Sequence, residues 1–207
     1  MEKLYKGVLK FQESYFKQER DFFKRLSKGQ DPDVLFMTCS DSRVDPQLVT
    51  QSGPGDLFIL RNIGNIIPPF NALKDKNSTA AAIEYAVMVL KVSDIIVCGH
   101  SNCGAIRALL GDEKEIEDMP HLRDWLRIAH PVKEHVFSVF GEEPSEVIQC
   151  YTEKENVLEQ IENIETYPFV EEAIKAGRLF LHGWYFDIAT GRMSSYVPSA
   201  NRFELIK

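Results

Sequence analysis

The sequence has no run of roughly 18 apolar residues, so it offers no candidate transmembrane helix. Within residues 1 to 28 a charge recurs every two or three positions, which leaves no room for the apolar stretch of a signal peptide. Basic residues are outnumbered, 24 Lys and Arg against 31 Asp and Glu, for a formal net charge of −7. That balance gives no reason to expect nucleic acid or an anionic membrane as partner, and any anion site must be local. Cysteine is scarce. The four residues Cys39, Cys98, Cys103 and Cys150 are too few for a secreted disulfide scaffold. Without a signal peptide, metal ligation or catalysis is the better use for some of them, and a reducing cytoplasm is the expected compartment. Repeats, low-complexity tracts and flexible linkers are also missing, so one domain over residues 1–207 is expected.

What is present is a soluble composition, 44% hydrophobic and 27% charged. Residues 1 to 28 read as a helical arm, with Leu4, Val8, Phe11, Tyr15, Phe22 and Leu26 near helical spacing. Its aromatics exceed what one face can hide, which points to a partner subunit, and a helix lying on its own core is the equal alternative. Apolar runs at Val34–Thr38, Leu57–Leu60 and Asp94–Cys98 read as buried strands. Helices are expected over 78 to 91, with Ser78 as N-cap, over 104 to 110, and over 121 to 139. Another should follow Pro144, its face carrying Val147, Tyr151, Leu158 and Ile161, and a short one should run from Pro168 to Gly177. Residues 112 to 118 read as a solvated connection. Residues 179–181 and 185–188 read as strand around His182-Gly183-Trp184, and a last strand lies near 193–197. Strands alternating with helices give an α/β fold, a central, mostly parallel sheet flanked by helices, with the N-terminal helical arm added.

Two segments carry chemistry. Cys39-Ser40-Asp41-Ser42-Arg43 follows the first strand, and Gly99-His100-Ser101-Asn102-Cys103-Gly104 follows the third. Both sit at carboxyl ends of parallel strands, the edge where open α/β sheets bind ligands. Together they offer two thiols and an imidazole, the ligand count of a catalytic zinc with its fourth position open. A structural zinc usually shows two close ligand pairs; here Cys39 stands alone. Asp41 and Arg43 adjoin this site, and a guanidinium can hold a carboxylate through two hydrogen bonds. Arg43 would thereby keep Asp41 off the open position.

The pairing of Cys-Ser-Asp-Ser-Arg with Gly-His-Ser-Asn-Cys-Gly resembles the β-carbonic anhydrases. Arg61-Asn62-Ile63-Gly64-Asn65, Glu155-Asn156-Val157, Tyr167-Pro168 and Leu181-His182-Gly183-Trp184 extend the resemblance across nearly the whole chain. It implies one Zn²⁺ per chain on Cys39, His100 and Cys103, and an Asp41–Arg43 dyad. It also implies a substrate pocket for CO₂ or bicarbonate built across the interface of a homodimer or a higher even-numbered homo-oligomer. By position, Gln30 matches a residue that hydrogen-bonds the substrate, and Phe58, Ile63, Tyr85, Val44 and Gly104 match the pocket wall. The implied reaction is reversible hydration of CO₂ by zinc-bound hydroxide, with Asp41 orienting the hydroxide.

Some bacterial members inhibit themselves by binding bicarbonate beside a tryptophan and a tyrosine. Those positions fall here at Phe36 and Phe186, neither with a polar handle, although Arg61 matches their bicarbonate-binding arginine. The open-site form is therefore expected. Asn102 stands where cyanobacterial relatives often carry histidine. Cys98 and Cys150 read as core thiols, and none of His121, His130, His135 and His182 is singled out as a proton shuttle. A sister hydrolase acting on CS₂ or COS at the same zinc is the nearer rival reading, and a non-catalytic zinc scaffold the more distant one.

Overall fold

The structure, a computed structural model, describes residues 1–72, 76–141 and 143–207. The chain falls into two compact units, Met1–Asp31 and Pro32–Lys207. The first comprises α1 (Glu2–Lys10), a π-helical stretch Phe11–Tyr15, α2 (Phe16–Gln18) and α3 (Arg20–Leu26). None of its helical residues is buried. Phe23 gathers the rings of Phe11, Tyr15 and Phe16 at centroid distances of 5.6, 6.0 and 5.2 Å. Leu4, Tyr5, Val8 and Leu9 stay exposed.

The second unit is built on a sheet of β1 (Val34–Cys39), β2 (Leu57–Asn62), β3 (Asp94–His100), β4 (Phe180–Asp187), β5 (Arg192–Val197) and β6 (Arg202–Leu205). Its spatial order is β2-β1-β3-β4-β5-β6. The first four strands are parallel and the last two antiparallel. The helices are α4 (Pro46–Thr50), α5 (Ser78–Glu84), α6 (Gly104–Leu110), α7 (Pro120–Leu126), α8 (His130–Phe140), α9 (Ser145–Glu165) and α10 (Pro168–Lys175). The alternation of side chains along β1 and β3 sorts the core. Leu35, Met37, Ile95 and Val97 pack with Val157 and Ile164 of α9, whereas Phe36, Ile96 and Cys98 face the other way, toward Trp184 and Phe186. No described helix is long and apolar enough to cross a membrane.

The mostly parallel sheet flanked by helices is as the sequence predicts, and several local details differ. Asn77, not Ser78, caps α5: its backbone is extended, φ −123° and ψ 121°, and its side-chain oxygen accepts from both Thr79 N and Ala80 N, at 2.9 and 3.1 Å. Beyond Glu84 the same helix widens into a π-helical stretch, Tyr85–Leu90. The helix expected over 121–139 is two, α7 and α8, with a 3₁₀ turn Arg127–Ala129 between them, where Pro131 at the first turn of α8 brings no N–H. The two strand pieces near 180–188 are one strand, β4. The 112–118 connection is not wholly solvated, since Ile116 is buried in its 3₁₀ turn. The sequence reading missed α4, capped by Asp45, and β6. It also misassigned the buried face of α9: the apolar spacing picked Tyr151, which is exposed, while the buried residues include Thr152, Glu153, Asn156, Gln160 and Asn163.

β1 has β2 on one side and β3 on the other, so the connections leaving β1 and β3 diverge. This is the switch point of the sheet, where a crevice opens at the carboxyl ends. Cys39 is the last residue of β1 and His100 the last of β3.

Candidate metal centre

Three ligand atoms meet in that crevice. The sulfurs of Cys39 and Cys103 and a ring nitrogen of His100 lie within 4.8 Å of one another, and all three residues are buried. The two sulfurs are 3.9 Å apart. Two sulfurs at about 2.3 Å from a tetrahedral zinc stand about 3.8 Å apart, so the pair is already at the right span. His100 Nδ1 is 3.0 Å from the Ser101 carbonyl, which can only accept. Nδ1 therefore carries the hydrogen, and Nε2 presents its lone pair. That Nε2 is buried with no hydrogen-bond partner, in a residue 1% exposed. A buried imidazole nitrogen left unpaired beside two thiols is a ligand set, and it fits Zn²⁺ by donor type and count.

The thiols are poised for this. Cys103 donates toward Cys39, and His100 and the backbone N–H groups of Asp41 and Gly64 add to the effect, so the Cys39 thiol is held well below its ordinary range. Cys103 moves the opposite way, raised first by its Cys39 partner and then by burial. A metal bound between them would displace the thiol protons. For His100, burial works against the charged form, but Cys39 and the Ser101 carbonyl outweigh it and the net direction is upward. Cys98 is a core thiol as expected, pushed up to about 12 by burial. Cys150 is not in the core: it is half-buried, with its sulfur 4.0 Å from the Tyr185 hydroxyl.

Asp41 and Arg43 form the expected fork. Arg43 Nε donates to Asp41 Oδ1 at 2.9 Å and Nη2 to Oδ2 at 2.7 Å, and the Arg43 backbone N–H adds a third bond to Oδ1 at 3.0 Å. Arg43 holds the Asp41 carboxyl well below the usual carboxylate range, with His100 adding to the shift. Asp41 Oδ2 ends 3.9 Å from His100 Nε2, beside the ligand set. The same Arg43 Nη2 also donates to the Asn102 carbonyl at 3.0 Å, tying the first loop to the second. Asn102 has a left-handed backbone, φ 56°, a conformation that Asn and Gly tolerate best. Position 102 thus acts through its main chain.

The other expected residues separate. Val44 is buried, and Gly104 opens α6 with nothing within 4 Å of where a Cβ would stand. Ile63 is exposed, and its carbonyl accepts from Trp125 Nε1 at 2.8 Å. Phe58 and Tyr85 touch each other, with ring centroids 5.8 Å apart. Phe58 is in register with Leu35, four residues before Cys39, or about 13 Å along the sheet. One chain therefore does not bring that pair to the ligand atoms. Gln30 lies in the N-terminal unit, exposed and outside its helices. Phe36 is fully buried, edge-on to Trp184 at 6.0 Å, in a cluster that includes Phe186. Arg61 donates to the carbonyls of Cys39 and Asp41, at 3.1 and 2.6 Å, so it braces the first loop. The sequence reading missed Glu153, which reaches from α9 to accept from Cys103 N at 2.8 Å.

Known proteins resemble this chain in sequence and fold. Residues 34–193 match the family model described as carbonic anhydrase. A carbonic anhydrase of Synechococcus elongatus is 44% identical over 93% of this chain and 70% of its own length. Among solved structures, the β-carbonic anhydrase CcaA is 42% identical with a TM-score of 0.96, over 100% of this chain and 99% of that one. A tetrameric β-carbonic anhydrase from the ascomycete Sordaria macrospora is 31% identical with a TM-score of 0.81, over 94% and 95%.

Proposed function

The chain belongs to the carbonic anhydrase family, in its β class, and from that premise we propose that it converts CO₂ and water reversibly to bicarbonate and a proton at a zinc ion held by Cys39, His100 and Cys103. The observation that carries the zinc assignment is the buried, unpaired His100 Nε2 facing two sulfurs already at tetrahedral span. Zinc supplies a Lewis acid that brings the acidity of water to near neutral pH.

The protein does the rest. Asp41 accepts a hydrogen of the reacting water and so sets where its lone pair points toward CO₂. Arg43 occupies both carboxylate oxygens, which favours the open-site form, with Asp41 beside the metal and not on it. The apolar side chain of Val44 and the bare backbone at Gly104 form the near wall for a small, uncharged substrate. Gln30 donates to an oxygen of CO₂ or bicarbonate. Phe58, Tyr85 and Ile63 form the far wall of a site completed by a second subunit. Exposed Tyr85, Met88 and Val89, together with the exposed apolar side chains of the arm, support a homodimer or a higher even-numbered homo-oligomer. Phe36 and Phe186, in one apolar cluster, support the absence of bicarbonate self-inhibition. Thiol ligands suit a reducing compartment, and the cytoplasm is the proposed location.

The test is CO₂ hydration by stopped-flow on protein of measured zinc content, with CS₂ and COS consumption assayed alongside. One zinc per chain with fast, non-sigmoidal CO₂ turnover is expected. Stoichiometric zinc without CO₂ turnover overturns the proposal.

A further inference from the structure

The longest helix, α9, turns a polar stripe inward. Gln149, Glu153, Asn156, Gln160 and Asn163 recur at alternating steps of four and three, the spacing usually given to an apolar seam. Of these, Glu153, Asn156, Gln160 and Asn163 are buried. A buried polar stripe must be satisfied, and the partners here are specific. Asn156 Nδ2 donates to the Gly64 carbonyl at 2.9 Å, and Ile67 N donates to Gln160 Oε1 at 2.6 Å. Gln160 Nε2 donates to Asn156 Oδ1 at 3.0 Å, which fixes which way both amides face. The stripe thus holds the connection after β2.

Glu153 holds the connection after β3. The side chain belongs to a residue only 3% exposed. Its Oε1 accepts from Cys103 N at 2.8 Å and from Gln149 Nε2 at 2.9 Å, and its Oε2 accepts from the Tyr185 hydroxyl at 2.8 Å. These three partners are all donors, and one of them is the main chain of a proposed metal ligand. Burial, together with the nearby Glu153, raises the Tyr185 phenol, which keeps it a donor. Cys103 is the N-cap of α6, so its N–H has no helical carbonyl to meet, and Glu153 supplies the acceptor. This reach depends on Gly99, the residue before His100. A Cβ there would stand 2.7 Å from Val157 Cγ2 and 3.2 Å from the Glu153 carbonyl, so only glycine lets α9 lie this close to β3.

We propose that Glu153 is a positioning residue of the metal centre: by taking the Cys103 N–H it sets where the Cys103 sulfur stands relative to Cys39 and His100. The inference rests on those three residues holding zinc. It assigns Glu153 no contact with substrate and no proton transfer. Partners that orient a metal ligand contribute about 10–100-fold to affinity or activity when removed, and Glu153 belongs with them.

The experiment measures zinc release from the intact holoenzyme to a chromogenic chelator, with the absorption spectrum of the Co²⁺-substituted protein as a second readout. Glu153→Ala removes the acceptor. Glu153→Asp keeps a carboxyl group but shortens its reach by one methylene, and it carries the test if the alanine variant does not fold. Both are expected to release zinc about 10–100-fold faster and to shift the thiolate-to-cobalt bands. Glu153→Gln keeps one oxygen for the Cys103 N–H but turns an NH₂ toward the Tyr185 hydroxyl, and is expected to release zinc more slowly than Glu153→Ala. Asn163→Ala cuts the stripe at Gln160, away from Cys103, and is expected to lower Tm without changing release or spectrum. Wild-type release and spectrum in both Glu153→Ala and Glu153→Asp overturn the proposal while leaving the zinc reading intact. A wild-type protein that binds no stoichiometric zinc overturns both.

Discussion

The two loops that meet at the metal centre are held by opposite means. The loop after β1 is held by charge at the surface. Arg43 grips Asp41 with a side chain 48% exposed, and Arg61 braces the carbonyls of Cys39 and Asp41. The loop after β3 is held from inside. Glu153 takes the Cys103 N–H, the Ser101 carbonyl fixes the His100 ring, and Ile188 N donates to Ser101 Oγ. Exposed ion pairs contribute little stability, whereas buried, satisfied polar groups are costly to disturb. The first loop can therefore change its charges with little loss of fold, and it carries the groups proposed to face the substrate. The second loop supplies two of the three proposed ligands and acts as the frame.

The largest test of that contrast falls on the ligands, where the two loops should behave alike. Cys39→Ser and Cys103→Ser are each expected to remove zinc and CO₂ hydration together, read by elemental analysis and stopped-flow. Retention of both by either variant removes that residue from the ligand set. Asp41→Asn comes next: zinc stays, and turnover falls by about 10²–10⁴, the range for loss of a positioned proton-handling group. Arg43→Ala should retain zinc and cost about 10–100-fold in turnover, as expected for loss of an orienting partner, with Tm nearly unchanged. Full activity in this variant would mean that Asp41 needs no restraint.

The smallest effect lies beside the second loop, at the end of β4. Asp187 is lowered chiefly by the Thr190 hydroxyl, then by the N–H groups of Ala189 and Thr190 and by Ser101. A carboxyl lowered on folding stabilises the native state fully above its unfolded pKa of about 3.9 and loses that contribution as the pH falls through the lower native value. Asp187→Asn should therefore lower Tm by roughly 2 °C at neutral pH, and the gap should close under acid conditions. A gap that widens in acid would assign the effect to something other than this carboxylate.

The metal ligands and the Asp41–Arg43 pair were legible because each half of the site is a short string next to a strand. Apolar runs of Val, Ile, Leu and Phe mark such strands whatever packs on them. The supports were not legible. Glu153 lies 50 positions from Cys103 and sits on a face that apolar periodicity assigns to solvent. Its signal was a polar stripe at core spacing, which resembles an exposed face until the helix is docked. The cap of α5 went to Asn77 because two adjacent good caps differ only in backbone geometry. Phe58 and Tyr85 could be matched by position, but sequence cannot say which copy of the chain a wall residue serves.

The strand order has a consequence in time. β1 lies between β2 and β3, so Cys39 must wait until residue 100 exists before its neighbour strand can deliver a second ligand. The Glu153 acceptor for Cys103 is made 50 residues later still, roughly 3 to 10 s at usual rates of synthesis. Parallel pairings over such separations are intrinsically slow to form. During that interval the thiols are present without the geometry to hold a metal. The proposed zinc site is thus a late product of the growing chain, completed only when α9 docks, and its two thiols must stay reduced until then.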